Sequence, residues 1–342
     1  MSVEPKVTTY LLGAGASAQC LPVVCNMAAG VKEVHDIFYN PSFLKCKKAL
    51  HPQLKIIFNE LRQLEEICKR NYSIDTYAKK LLISGKTNEY EKLKDILSVY
   101  FTLQQKVKPL DNRYDNFWAA LLTRKYDLPD NIRVVSWNYD SQIELSYREF
   151  AGIESLSESY SRLNMVSPHT DHDFFNTEKF SVIKLNGSAK YKEDSFLKSE
   201  FKYLSEDYSN QIDDENFYVD LLEAYEDLGT IDKKQKKRFN KNELTFAWEH
   251  KFDSRFNKKI KESLKNTTVM VVIGYSFPIY NRKVDKMIIN DYMPNLEKVY
   301  LQAPDAVDLE ERFVALNSTI DPEQIILKKD IGQFVFPNEL DI

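Results

Sequence analysis

The sequence predicts an α/β protein: a doubly wound parallel sheet, with helical insertions forming a smaller second domain. Two observations carry this. Short apolar runs of strand length alternate with segments whose apolar residues recur at spacings of three and four, the pattern of strands joined by crossover helices. Four of those runs also end in polar or glycine-rich sequence, at Gly13–Ser17, Ser136–Asp140, Asn186–Ser188 and Gly274–Phe277. In such a sheet, strands deliver ligand-binding turns to one edge.

Taken in order, the run Val7–Leu12 ends in Gly13-Ala14-Gly15 and reads as a buried strand entering a tight turn. Ser17 and Ala18 are expected to open a helix that reaches Phe38 with a break at Pro22. Helical spacing continues through Leu54–Cys68, Ile74–Ile83, Glu89–Val107 and Phe117–Arg124, so the next strand, Ile132–Ser136, comes about a hundred residues after the first. A crossover helix and its loops need far fewer, and the excess marks an insertion. Ser141–Phe150 reads as a helix capped by Asp140 or Ser141, and Phe180–Leu185 as a strand. After a charged stretch, strand and helix alternate again through Val269–Ile273, Asn281–Asp291, Lys298–Gln302, Val307–Leu316 and Gln324–Leu327. The expected organisation is a sheet core of residues 1–30, 126–190 and 266–342. A helical insertion takes 31–125, and a second, charged and mostly helical one takes 191–265.

Composition narrows the function classes. Apolar residues make up 43% and charged residues 29%, the balance of a soluble globular chain rather than a disordered or membrane one. With 47 Lys and Arg against 51 Asp and Glu, the net charge of −4 gives no global electrostatic case for nucleic acid. The basic block Lys233–Arg238 is the one place where such contact is expected at all. It follows an acidic block, Asp213–Glu226, and reads as a solvated helix face. Cys20, Cys25, Cys46 and Cys68 form no C-x-x-C pair, so reduced thiols, no zinc and a cytoplasmic location are expected. The run Val269–Ile273 is too short to cross a bilayer, and Glu4-Pro5-Lys6 before a short apolar stretch argues against a secretion signal.

The first turn fits the dinucleotide pattern G-x-G-x-x-A through Gly13, Gly15 and Ala18, which makes the sheet Rossmann-like. Small residues there let backbone approach a pyrophosphate, and the helix start is expected to supply free N–H groups. A nicotinamide dehydrogenase also needs an acidic residue at the end of a second strand about 20 residues on. Glu33 and Asp36 stand near that distance but on helical spacing, so the ribose anchor of that class is missing.

Five ordered blocks then show a family resemblance: Gly13-Ala14-Gly15-Ala16-Ser17, Leu21-Pro22, Trp137-Asn138-Tyr139-Asp140, Lys184-Leu185-Asn186-Gly187-Ser188 and Gly274-Tyr275-Ser276-Phe277. In this order they resemble the motifs of sirtuin-like proteins, most closely the bacterial sirtuin-like NAD-hydrolase domains of anti-phage defence systems. Ser73-Ile74-Asp75 resembles a further segment of that branch. The resemblance implies NAD lying across the strand ends as substrate. Gly13, Ala14, Gly15, Ala16, Ser17, Pro22, Gly187, Gly274, Tyr275 and Ser276 are the expected nucleotide contacts. Asn138 would hold the nicotinamide ribose hydroxyls or the attacking water, and Asn138, Asn186 and Asp140 are the expected catalytic residues.

This chain departs from the family in three places. It lacks the two C-x-x-C pairs of the deacylase zinc module, and it carries Cys20 where the family has Gly before its Leu/Ile-Pro. It also carries Asn186 where the family has its catalytic histidine, and an amide takes up no proton near neutral pH. His169, His172 and Asp140 are candidate substitutes, and Gln302 stands where the family often has an Asn near the adenosine. His169-Thr170-Asp171-His172 would need further ligands to hold a metal. The expected function is an NAD-consuming effector releasing nicotinamide and ADP-ribose in abortive infection. Since sheet and inserts account for nearly all of this sequence, activation through a separate sensor protein or oligomerisation is expected. The alternative is a catalytically silent subunit that binds NAD or ADP-ribose; a protein deacylase is disfavoured by the missing zinc module.

Overall fold

The computed structural model describes residues 6–39, 51–122, 127–170, 172–189, 231–232, 237–238, 242–251, 254–317 and 319–340. Two compact units emerge. One comprises Met1–Ala18, Leu110–Gly187 and Thr245–Ile342, the other Gln19–Pro109 and Ser188–Leu244. Most of the second insertion lies outside the described residues, including the acidic block and most of Lys233–Arg238, as do Cys46 and Asp171.

The first unit is built on six parallel strands: β1 (Val7–Leu12), β2 (Ile132–Ser136), β3 (Ser181–Lys184), β4 (Thr267–Ile273), β5 (Lys298–Gln302) and β6 (Ile325–Lys328). Their spatial order is β3-β2-β1-β4-β5-β6, every pairing parallel. This is the Rossmann-like doubly wound arrangement. β1 to β4 are buried along their whole length, because helices cover both faces of such a sheet. Alternate residues therefore feed two cores. Leu11, Val135, Ile183 and Val272 pack on one face with Phe256, Ile260 and Phe313, while Tyr10, Leu12, Val134 and Val271 pack on the other with Phe117, Trp118 and Tyr147. Each such buried side chain contributes roughly 1.5–3 kcal/mol of transfer free energy.

The helix expected directly after the first turn is replaced by something shorter. Ala14–Ser17 is a single 3₁₀ turn, and the first α-helix is Met27–Phe38, entered through a second 3₁₀ turn at Val24–Asn26. Pro22 lacks an amide donor and biases Leu21 away from helical backbone, which accounts for the gap. The helix Arg113–Leu121 falls in the sheet unit, where the sequence reading placed it in the insertion. Asp140 and not Ser141 caps Gln142–Phe150, its Oδ1 accepting from the Gln142 N–H at 3.1 Å.

The second unit packs Met27–Phe38, His51–Arg70, Ile74–Ile83 and Thr87–Val107 around Val31, Val34, Leu61, Leu81, Leu97 and Leu103. Ser73, from the segment with family resemblance, has a local explanation: its Oγ accepts the Thr76 N–H at 3.1 Å and caps the helix it precedes.

Candidate functional site

Strand order reverses between β1 and β4, and in a sheet of this kind ligands sit beyond the carboxyl ends of the strands at that point. Gly13 follows β1 and Gly274 follows β4. The Gly15 N–H donates to the Gly274 carbonyl at 2.9 Å, and the Gly13 N–H donates to Ile273 at 3.0 Å. A Cβ on Gly15 would stand 2.5 Å from the Gly274 Cα, and one on Gly13 would stand 2.6 Å from the Gly274 oxygen. Gly274 itself has φ +57°, a backbone that side chains resist. These glycines are therefore required by one another, so that two turns can meet at the switch point. The same close approach engages several of the amides that a phosphate was expected to meet here. The Gly15 amide is spent on Gly274, and those of Ala16 and Ala18 close on the Gly13 and Gly15 carbonyls.

The turn is held from beneath by residues the sequence reading did not single out. Arg113 Nη2 donates to the carbonyls of Gly15 at 3.0 Å and Ala16 at 3.1 Å, and its guanidinium pairs with Asp111 at 2.6 Å. Ser17 Oγ lies 3.3 Å from the Tyr114 hydroxyl and donates to Asp140 Oδ1 at 3.4 Å. Lys184 donates to the Asp140 carbonyl and pairs with Glu144 at 3.4 Å. Burial pushes the Asp140 and Glu144 carboxyls up, against the pull of the Lys184 ammonium. Asp140 thus ties the β1 turn to the β2 turn, its Oδ1 committed to Ser17 and Gln142.

Trp137 anchors the neighbouring strand end. Its ring stacks on Tyr275 with centroids 6.0 Å apart, and its Nε1 donates to Asp285 at 3.1 Å. The Tyr275 hydroxyl donates to the same carboxylate at 2.9 Å and accepts from Asn281 Nδ2 at 2.9 Å. Burial pushes Asp285 up to about 8, outweighing these two donors. Of the expected contacts in this turn, Gly274 stands at the switch point and Tyr275 faces the core. Ser276 is exposed, with its carbonyl accepting from Arg312.

Asn138 and Asn186 meet around Trp137. Asn138 follows it directly, its own N–H donating to Ser136 Oγ at 3.1 Å, while Asn186 Nδ2 donates to the Trp137 carbonyl at 3.2 Å. Gly187, at φ +68°, makes the tight turn that ends β3. Asn138 is 7% and Asn186 5% exposed, yet Asn138 Nδ2 and Asn186 Oδ1 have no hydrogen-bond partner among the described residues. Leaving such a group unsatisfied costs roughly 1–3 kcal/mol. Across these ends runs the segment Thr245–His250, the Thr245 N–H donating to the Asn186 carbonyl at 2.9 Å. His250, which sequence reading passed over, packs edge-on against Trp137 with ring centroids 5.9 Å apart. Its Nε2 is buried and also without a partner, and burial takes the imidazole down to about 4.

Of the other expected positions, His169 borders the site through Thr245, and the rest fall elsewhere. His169 Nε2 is 2.7 Å from Thr245 Oγ1, and His172 Nε2 is 2.9 Å from the Ser167 carbonyl, so a ring nitrogen of each is already engaged. Gln302 donates to the carbonyls of Asp330 and Gln333 and accepts from Val335, bracing the C-terminal segment instead of facing an adenosine. Pro22 and Ser188 belong to the second unit, where Pro22 packs beside Gly30.

A cavity of about 280 Å³ opens at the opposite, amino end of the sheet, lined by Asp130, Arg133, Glu178, Glu262 and Ser263 among others. Arg133 spends its guanidinium there on Ser263 Oγ and on the carbonyls of Asp130, Ile132 and Thr177, a structural role. Among the described residues no group of three His, Cys, Asp or Glu is placed to hold a metal, and no helix is long and apolar enough to cross a membrane. No protein-family model matches the chain, and a search of curated proteins finds no match either.

Proposed function

We propose that the sheet unit is an NAD glycohydrolase that binds the dinucleotide across the carboxyl ends of β1, β2, β3 and β4 and releases nicotinamide and ADP-ribose. The observation carrying this reading is the pair Asn138 and Asn186, which bring a donor and an acceptor without partners to adjacent strand ends beside the switch point. Such a pair suits the hydroxyls of a ribose or an attacking water. The chemistry asks little of an acid, because the leaving group is already a cationic pyridinium and departs neutral. What remains is to steady an oxocarbenium-like sugar and admit water. Each turnover consumes one water and frees one proton.

In the same proposal the enzyme is a defence effector, held silent until a separate sensor protein or self-association activates it. A second reading, a silent NAD- or ADP-ribose-binding subunit, is favoured by one observation: Asn186 stands where proton transfer would be useful and cannot perform it. Product analysis after incubation with NAD, alone and with genetically neighbouring proteins and a phage-derived trigger, separates the two. The enzyme reading predicts nicotinamide and ADP-ribose in equal amounts. Tight binding with intact NAD under every condition leaves only the second reading.

A further inference from the structure

We propose that His250 is the proton acceptor of this site, carried in by a segment remote in sequence from the strand that bears Asn186. The inference rests on the hydrolase reading and adds the group that Asn186 cannot supply. Three features of the geometry support it. The segment is fixed on the site through the Thr245 N–H on the Asn186 carbonyl at 2.9 Å. The ring lies against Trp137, the residue that joins the two asparagines. His250 Nε2 is buried and has no hydrogen-bond partner among the described residues, so it is open to accept a proton when Nδ1 carries the ring hydrogen. His250 is 8% exposed, and its neutral ring is kept so by burial.

Asn138 Nδ2, Asn186 Oδ1 and His250 Nε2 are one donor and two acceptors without partners, on the residue after Trp137, on a side chain bonded to the Trp137 carbonyl and on a ring packed against the Trp137 indole. In the reaction, the water oxygen bonds to ribose C1′ as the C1′–N bond breaks. Nicotinamide leaves with that bond's electron pair, and the water proton passes to Nε2 and on to solvent.

The test uses the full chain with His250→Gln and His250→Ala, followed by turnover, ADP-ribose calorimetry and imidazole ¹⁵N resonances. A positioned base contributes roughly 10²- to 10⁴-fold, so kcat is expected to fall by that factor while the ADP-ribose Kd moves less than about threefold. In the wild type, the His250 ring is expected to show the Nδ1–H tautomer and an Nε2 resonance that shifts on saturation with ADP-ribose. That readout needs no activator and no variant, so it decides even if the substitutions impair folding. Turnover by His250→Gln within about threefold of wild type, or an Nε2 resonance unmoved by saturating ligand, overturns the role of His250 and leaves the hydrolase reading standing. Wild-type binding without turnover under any condition overturns both that role and the hydrolase reading, and absence of binding overturns the site as a whole.

Discussion

Gly15 and Gly274 press backbone against backbone where the sheet reverses its winding, joined by a 2.9 Å hydrogen bond from the Gly15 amide to the Gly274 carbonyl. A glycine pattern that in sequence suggests room for a phosphate also makes room, in the fold, for another turn. Gly15→Ala is therefore expected to destabilise the protein by about 1–3 kcal/mol, the usual cost of forcing a methyl into packed surroundings. Gly15→Val should cost more, as loss of fold before loss of ligand. Denaturant melts check this, and an unchanged midpoint for Gly15→Ala would refute the close approach.

Arg113 and Asp111, both almost wholly buried, hold the carbonyls of that same turn. Arg113→Met strands the Asp111 carboxylate in the interior, and breaking such a pair costs about 3–5 kcal/mol. Arg113→Lys keeps the charge but loses the forked geometry that reaches both the turn and the carboxylate. Both variants are expected to lower the urea midpoint, Arg113→Met by more. Wild-type stability in either would mean that the pair is not the clamp it resembles.

Asp285 links stability to pH. Its carboxyl titrates at about 8 in the folded protein against an ordinary 3.8, so the folded state holds a proton that the unfolded chain has lost. The contribution is present in full below the unfolded value and is lost as pH rises through the folded one, so stability from this group falls between about pH 4 and pH 8. Asp285→Asn imitates the protonated form and is expected to flatten that slope. Unfolding free energies measured across the interval in both proteins test it; parallel curves would show that Asp285 is ionised in the fold at neutral pH.

Much of the architecture was legible in the chain. Strands β1 to β4 follow from apolar runs because both faces of the sheet are buried there, and burial on two sides leaves little room for polar residues. The turn after β1 was legible too, but its reason was not, because Gly274 is remote in sequence and only the fold sets it against Gly15. Arg113 and His250 escaped for the same cause. A lone arginine before an apolar helix and a lone histidine in a charged stretch carry no local signal, and their surroundings, the Gly15 carbonyl and the Trp137 ring, come from segments remote in sequence. Gln302 was equally unreadable, since a polar residue at a strand end is indistinguishable in sequence from one bracing a C-terminal segment.

The most direct trial of the site is Asn138→Ala, assayed for stability and for NAD cleavage under conditions where the wild type is active. The Asn138 amide nitrogen has no partner to lose, so removing it is expected to leave the melting temperature unchanged or slightly raised while turnover disappears. A folded Asn138→Ala protein that still cleaves NAD at the wild-type rate would contradict the account, because the sugar would then be bound somewhere other than beside Trp137.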